Sequence, residues 1–490
     1  MSIPQLPEKG QSRKQLLATM ERFRADDADW RSGRTFSMVF NPGPAAYKVA
    51  KDAYNLFMAE NALNPSAFPS LRRMEQECVG MTAHLLNADE DAAGSLSSGG
   101  TESIMLAVKT ARDWARRTQD IESPEMVAPI TAHPAFDKAC HYFGVKMHHT
   151  PVGEDYRADV DAMREAINEN TILLVGSAPQ YAQGVVDPIE DIAALAAEQD
   201  ILCHVDACIG GFLLPFVEAL GHTVPAWDFR VEGVTSISCD LHKFAYTPKG
   251  ASVILYRNKK LRRHQFHVYT DWPGGIYASP TMAGTRPGGA IAAAWAMLNY
   301  QGYAGYMEMA QETMQATQKI LDGVRDIDGI EVLGSPHMSI AAIAGKGANS
   351  YAIGDEMQAR GWHIDRQQFP ASLHLTISRG HCGVEDEFLQ DLQEAAEISR
   401  KQVVRRAVET ATVKLTSGAA YVLPDKLFGA MTRAAAKLGT DAVPKRSAAM
   451  YGMMAELPAR GELQELVLDA LDRLNSLPED GEKGSEAAED

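Results

Sequence analysis

Four short segments carry residues whose types and spacing could do chemistry. The stretch Ser236-Ile237-Ser238-Cys239-Asp240-Leu241-His242-Lys243-Phe244 places a lysine directly after an apolar strand, beside a histidine and ahead of Lys249-Gly250. An amine held at the end of a sheet, partly desolvated and near other cations, has a lowered pKa and attacks carbonyl carbon. The stretch His204-Val205-Asp206-Ala207 ends a second apolar strand on a carboxylate. At the carboxyl end of a parallel strand, a carboxylate points into the crevice where α/β ligands bind. Taken alone, Asp206 also reads as a helix cap or an ion-pair partner, and His204 as a packed core histidine. In the third segment, Ser97-Ser98-Gly99-Gly100-Thr101-Glu102 runs into apolar Ile104, Leu106, Ala107 and Val108 at helical spacing. Small residues at a helix start leave backbone N–H groups free for an anion, and the helix dipole favours the same charge. A plain cap would look similar. The fourth element is His133, just before a predicted helix over Pro134–Phe143; alone it reads as a surface or capping residue.

Together the four fit one constellation. A lysine forms a Schiff base with pyridoxal phosphate. An upstream carboxylate pairs with the pyridinium nitrogen and keeps it protonated, so that the ring accepts an electron pair from a broken bond. A glycine-rich helix start takes the phosphate, and a histidine stacks on the ring. The set is far more specific than any member. Neither a P-loop nor a G-x-G-x-x-G stretch is present, which disfavours a nucleotide enzyme.

The elements that must position these residues read as α/β. Strands are predicted at Thr171–Gly176, Ile201–Asp206, Val234–Cys239 and Ala251–Tyr256, with a helix over Pro188–Gln199 between the first two. Strand, helix, strand in sequence implies parallel strands with crossover helices. A helix over residues 11–30 carries Leu16, Leu17, Met20 and Phe23 on one face, and another runs from Ala45 to Glu60. A long helical segment follows Ala290, then mixed strands and helices with a strand at Leu373–Ser378. We expect an N-terminal arm (1–60), a large cofactor-binding domain (61–310), a smaller C-terminal α+β domain (311–478) and a disordered acidic tail (479–490).

The chain has 490 residues and a net charge of −17, which argues against nucleic-acid binding. Its 45% hydrophobic content suits a large core. Six cysteines without a C-x-x-C pair support neither a disulfide scaffold nor a structural zinc site, so no metal is expected. The N-terminus lacks the apolar run of a signal peptide, and Ile201–Val217 is too short and polar to span a bilayer. A cytoplasmic enzyme without a transmembrane segment is expected.

SSGGTESIMLAVKTARDWAR, TAHPAFDKACHYFGVKM, HVDACIGGFLLPF, DFRVEGVTSISCDLHKFAYTPKGASVILY, TDWPGGIYASPTMAGTRPGG and SAAMYGMM, spread over about residues 55–460, make the sequence recognisable. It resembles the fold-type I pyridoxal-phosphate enzymes of the group II decarboxylase branch, and within it the sphingosine-1-phosphate lyases. The resemblance implies Lys243 as the cofactor lysine, Asp206 as the pyridinium partner and His133 as the stacking residue. Gly100, Thr101 and His242 would hold the phosphate. It implies a homodimer with active sites at the interface, Ser279 reaching the partner's cofactor. Lys249 and Tyr451 would line the substrate end. Three positions depart from the family pattern: Phe40 stands in a segment that usually carries tyrosine, Asn64 where histidine is usual, and Gln183 where histidine is common. Arg379 is unexpected and could hold a substrate carboxylate in a bidentate pair. The implied activity is retro-aldol carbon–carbon cleavage of a phosphorylated amino alcohol, a small-molecule substrate. The alternative is amino-acid α-decarboxylation.

Overall fold

The computed structural model describes residues 6–401 and scattered positions between 464 and 475. Tyr451 and the 479–490 tail lie outside the described residues. The chain divides into two compact units, residues 1–29 with 398–490, and residues 30–397. In the first, a helix spans Arg13–Phe23, opened by a capping box in which the Ser12 hydroxyl accepts the Gln15 N–H and the Gln15 side chain accepts the Ser12 N–H. Its apolar face, Leu16, Leu17, Met20 and Phe23, is exposed.

The second unit is built on a seven-stranded sheet: β1 (Ala93–Ser97), β2 (Glu125–Pro129), β3 (Lys146–Thr150), β4 (Thr171–Ser177), β5 (Leu202–Asp206), β6 (Ser236–Cys239) and β7 (Ser252–Tyr256). The order is β1-β7-β6-β5-β4-β2-β3. From β6 to β3 every pairing is parallel. β7 runs antiparallel to both β6 and β1, which departs from the parallel reading of the fourth predicted strand. The physical reason is the connection: only Asp240–Ala251 joins β6 to β7, with no helix to carry a parallel crossover. That short return is also the segment that carries Lys243.

β4, β5 and β6 are buried along their whole length, because helices cover both faces of the sheet. Each fully buried Leu, Val or Ile there contributes roughly 1.5–3 kcal/mol. Polar side chains at the strand ends can therefore be held in place without adding to stability themselves. Helix Gly100–Thr118 packs Ile104, Val108, Ala111 and Ala115 inward at three- and four-residue spacing. Glu102 in its first turn and Arg116 and Arg117 in its last complement the helix dipole.

Residues after the sheet form an exposed hairpin, β8 (His267–Trp272) with β9 (Gly275–Ser279), and then a long helix, Gly288–Asp326. That helix breaks at Gly302, whose φ of 58° lies in the left-handed region. A second sheet joins β10 (Ile330–Leu333), β11 (Ile340–Gly345), β12 (Asp365–Gln367) and β13 (Ser372–Thr376) in the order β10-β11-β13-β12, all antiparallel. Its core holds Ile343, Trp362, Leu375 and Phe388, together with Phe36 from the N-terminal side of the chain. Among the described residues, no helix is long and apolar enough to cross a membrane.

Candidate active site

A cavity of about 550 Å³ sits at the carboxyl ends of the strands. The segments that follow β1, β2, β4, β5 and β6 each send residues into it, so one edge of the sheet builds the whole site. Gly100, Thr101, His133, Asp206, His242 and Lys243 all line it, as their sequence pattern predicts.

The anion end is built around the start of helix Gly100–Thr118. The Glu102 carboxylate accepts the Ser98 N–H at 2.7 Å, the Ser98 hydroxyl at 2.6 Å and the Met282 N–H at 2.8 Å. It thus fixes the turn and ties it to the segment after the hairpin. A Cβ on Gly100 would lie 2.7 Å from Asp240 Oδ2 and 2.9 Å from Cys208 Sγ, so no larger residue fits between the helix start and the cavity floor. His242 faces the same turn. Its Nδ1 accepts the Ala251 N–H at 3.3 Å, which leaves the proton on Nε2. Burial, aided by Lys249 and Lys243 and opposed by Asp240, lowers its pKa to about 4. His242 is therefore a neutral donor at the anion end.

At the reactive end, Asp206 Oδ1 accepts the Cys208 N–H at 3.0 Å and the Ser238 hydroxyl at 3.2 Å. The residue lines the cavity. His204 is the packed core histidine expected, held between Ser236 at 2.8 Å and Ser238 at 3.2 Å. His133 does two things: Nδ1 accepts the Ala135 N–H at 3.1 Å and so caps the next helix, while the residue lines the cavity.

Lys243 departs from expectation in its charge state. Its Nζ lies 2.9 Å from Asp240 Oδ2. Burial acts to lower its pKa, but the Asp240 carboxylate, with help from Asp206, outweighs burial and holds it above the ordinary lysine value. The lysine with a lowered pKa is Lys249, through burial and then the positive charge of Lys243. Lys249 Nζ donates to the His242 carbonyl at 3.4 Å and sits 5.4 Å from the centre of the Phe40 ring. Phe40 in turn packs edge-on against Phe244 at 4.8 Å.

Four further residues singled out in the sequence lie away from this cavity in the single chain, among them Ser279, which is expected at the partner's cofactor. Arg379 is engaged by Glu312 at 2.9 Å and donates to the Pro42 carbonyl, so its guanidinium is not presented to the cavity. Asn64 is exposed and uses its Oδ1 to accept the Ser66 N–H. Gln183 is buried and turned onto Gln180. Ser279 donates to the Thr281 carbonyl and lines a separate cavity of about 720 Å³ beside the first half of β1.

Two lining residues were missed from sequence. Tyr181, after β4, stacks on His374 of the second sheet at 3.8 Å and donates its hydroxyl to Asp365 at 3.2 Å. Asp240 stands three residues before the lysine. The available signal was positional: residues just past the carboxyl ends of parallel strands line the crevice whatever their type.

Residues 4–344 match the family described as the pyridoxal-dependent decarboxylase conserved domain. The chain belongs to that family. It is a pyridoxal-phosphate-dependent enzyme with the fold-type I architecture. It is 44% identical to a sphingosine-1-phosphate lyase of Dictyostelium discoideum over 80% of this chain and 74% of that protein. The solved structure of a Burkholderia pseudomallei sphingosine-1-phosphate lyase superposes with a TM-score of 0.79 at 40% identity, covering 84% of this chain and 97% of the other. A Lactobacillus brevis glutamate decarboxylase shares the fold, with a TM-score of 0.72 at 18% identity over 82% and 96%. The cavity suits the family's cofactor: a tight helix start at Gly100, a neutral imidazole at His242, a carboxylate at Asp206 and an amine at Lys243.

Proposed function

We propose that the protein is a carbon–carbon lyase that cleaves a phosphorylated amino alcohol, as its sphingosine-1-phosphate lyase relatives are named for doing. The observation that carries this reading is the 44% identity to a sphingosine-1-phosphate lyase over 80% of the chain, and the convergence of Lys243, Asp206, His133 and the Gly100 helix start on one cavity supports the cofactor chemistry it needs. Lys243 would hold the cofactor, Asp206 would face its ring nitrogen and His133 its ring, and the Gly100 and Thr101 backbone with His242 would take its phosphate. When bound, the cofactor supplies a sink for the electron pair released as the carbon–carbon bond breaks. In that cleavage the proton of the substrate hydroxyl would pass to a base, the carbon–carbon bond would break as the hydroxyl-bearing carbon leaves as an aldehyde, and one proton would be returned to the amine-bearing carbon.

Lys249, which donates to the carbonyl of the cavity-lining His242 and has the Phe40 ring beside it, is the cation we assign to the substrate phosphate. Arg379 is already paired with Glu312, and the chain is 40% identical to a solved sphingosine-1-phosphate lyase against 18% for a glutamate decarboxylase, which sets the decarboxylase reading second. The enzyme acts as a homodimer in the reducing cytoplasm. Support for the dimer is the β8–β9 hairpin, which exposes Val268, Tyr269, Trp272, Ile276 and Tyr277 and ends at Ser279. The five buried free thiols suit a reducing compartment.

The test is a product assay. Purified holoenzyme is offered sphingoid phosphates, shorter phosphorylated amino alcohols and a panel of amino acids, with aldehyde and carbon dioxide both measured. Aldehyde from a phosphorylated amino alcohol is expected. Carbon dioxide from an amino acid, without aldehyde, would replace this reading with the alternative.

A further inference from the structure

Asp240 is a charged group at the floor of the cavity to which no cofactor contact has been assigned. Its side chain is 1% exposed, and Oδ2 is held by Lys243 at 2.9 Å. His242 Nε2, at 3.6 Å, is too far to replace that contact. A buried carboxylate costs free energy that a paired cation offsets, and Lys243 is the cation within reach. The helix start closes over it, since a Cβ on Gly100 would strike both carboxylate oxygens. Asp240 and Asp206 thus stand on the same cavity floor, and the free lysine is paired with Asp240.

We propose that Asp240 is the resting counter-ion of Lys243: it holds the free amine as an ammonium at the cavity floor before cofactor capture and again whenever a substrate amine has displaced it. The inference rests on Lys243 being the cofactor lysine. To condense with the cofactor's aldehyde, the ammonium first gives its proton to solvent. The nitrogen then bonds to the aldehyde carbon, and water leaves with the aldehyde oxygen. Asp240 opposes the first of these events by stabilising the charged form. The same opposition has a use during turnover. A displaced lysine that stays charged does not compete with the substrate amine.

The titratable groups around Lys243 are Asp206 at the end of β5 and Cys208 after it, Cys239 at the end of β6 with Asp240 and His242 after it, Lys249 on the return to β7, and His133, after β2, in the same cavity lining. Of the two carboxylates, only Asp240 lies within ion-pair distance. Replacing it with asparagine keeps shape and removes the charge.

The test follows cofactor capture, apart from turnover. Cofactor-free wild-type protein and the Asp240→Asn variant are mixed with pyridoxal phosphate across a pH series. The rate at which yellow absorbance develops is recorded, and borohydride-fixed cofactor is mapped to its peptide. The midpoint of the rate against pH should fall by at least about one unit in the variant, or about tenfold faster capture on the acid side. Equal midpoints would overturn the proposal, and a merely structural role would lower Tm without moving the midpoint. If the adduct maps to Lys243 in both proteins while the midpoints agree, the counter-ion role alone fails. An adduct on another lysine removes the lysine assignment itself. Should the variant not fold, Lys243 labelling by an amine-reactive sulfonate in cofactor-free wild-type protein gives the same answer. A midpoint above that of an ordinary lysine is expected, and one at or below it contradicts the pairing.

Discussion

The two ends of the cavity are built in different ways. At the cofactor end, every residue comes from a segment that leaves one edge of one sheet, and each is fixed by a local contact. Ser98 and Met282 are tied to Glu102, Asp206 to Cys208 and Ser238, His242 to Ala251, and Lys243 to Asp240. At the substrate end the residues come from far apart in the chain. Phe40 precedes the sheet entirely, Lys249 lies on the return to β7, and Arg379 follows the second sheet. Phe40 and Lys249 meet through a cation–π contact at 5.4 Å. The cofactor end is thus built from strand ends, and the residues we assign to the substrate come from loops and separate parts of the chain.

Substitutions sharpen this contrast in a graded way. The largest effect is expected from Lys243→Ala, which removes the covalent link: turnover should vanish, and borohydride should fix no cofactor. Next is Gly100→Ala. Its new methyl group would meet Asp240 and Cys208 well inside contact distance, so cofactor affinity measured by titration should collapse while the fold, held by the buried strands, persists. Asp206→Asn loses a charged hydrogen bond worth roughly 1.5–3 kcal/mol, so kcat should fall about tenfold to a hundredfold with cofactor still bound. At the other end the effects should be smaller. Lys249→Ala should raise KM for a phosphorylated substrate about tenfold with little change in KM for one lacking phosphate. Phe40→Tyr adds a hydroxyl beside Lys249 and should speed cleavage of sphingosine-1-phosphate; a decrease would show that the apolar wall is the adapted form. Arg379→Ala should cost no more than about 1 kcal/mol in thermal unfolding, since its pair with Glu312 is one-third exposed.

Legibility from sequence follows the same division. The strands at residues 171–177, 202–206 and 236–239 are readable because each is a short segment with apolar residues that lies next to helical or turn signals, although β5 carries His204 and Asp206 and β6 alternates serine with apolar residues. The residues just past them could be recognised as a set because their chemistry converges on one cofactor. The direction of β7 was not readable from its apolar pattern, which is the same for either direction; the missing crossover helix decided it. Charge states were not readable either. The motif suggested a lysine with a lowered pKa, and the lowering falls on Lys249, because Asp240 sits against Lys243. Arg379 reads from sequence either as a holder of a substrate carboxylate or as a structural surface arginine, and its ion pair with Glu312, nearly seventy residues away on the long helix, favours the second. Tyr181 had no signal beyond its place after β4, and its stacking partner His374 belongs to the other sheet.

The most direct measurement of the central claim is the site of cofactor attachment. Holoenzyme is reduced with borohydride, digested, and the modified peptide sequenced by mass spectrometry. A single adduct on Lys243, within the peptide that follows β6, is the predicted result. An adduct on Lys249 or on any other lysine, with Lys243 unmodified, would contradict the assignment of this cavity as the cofactor site.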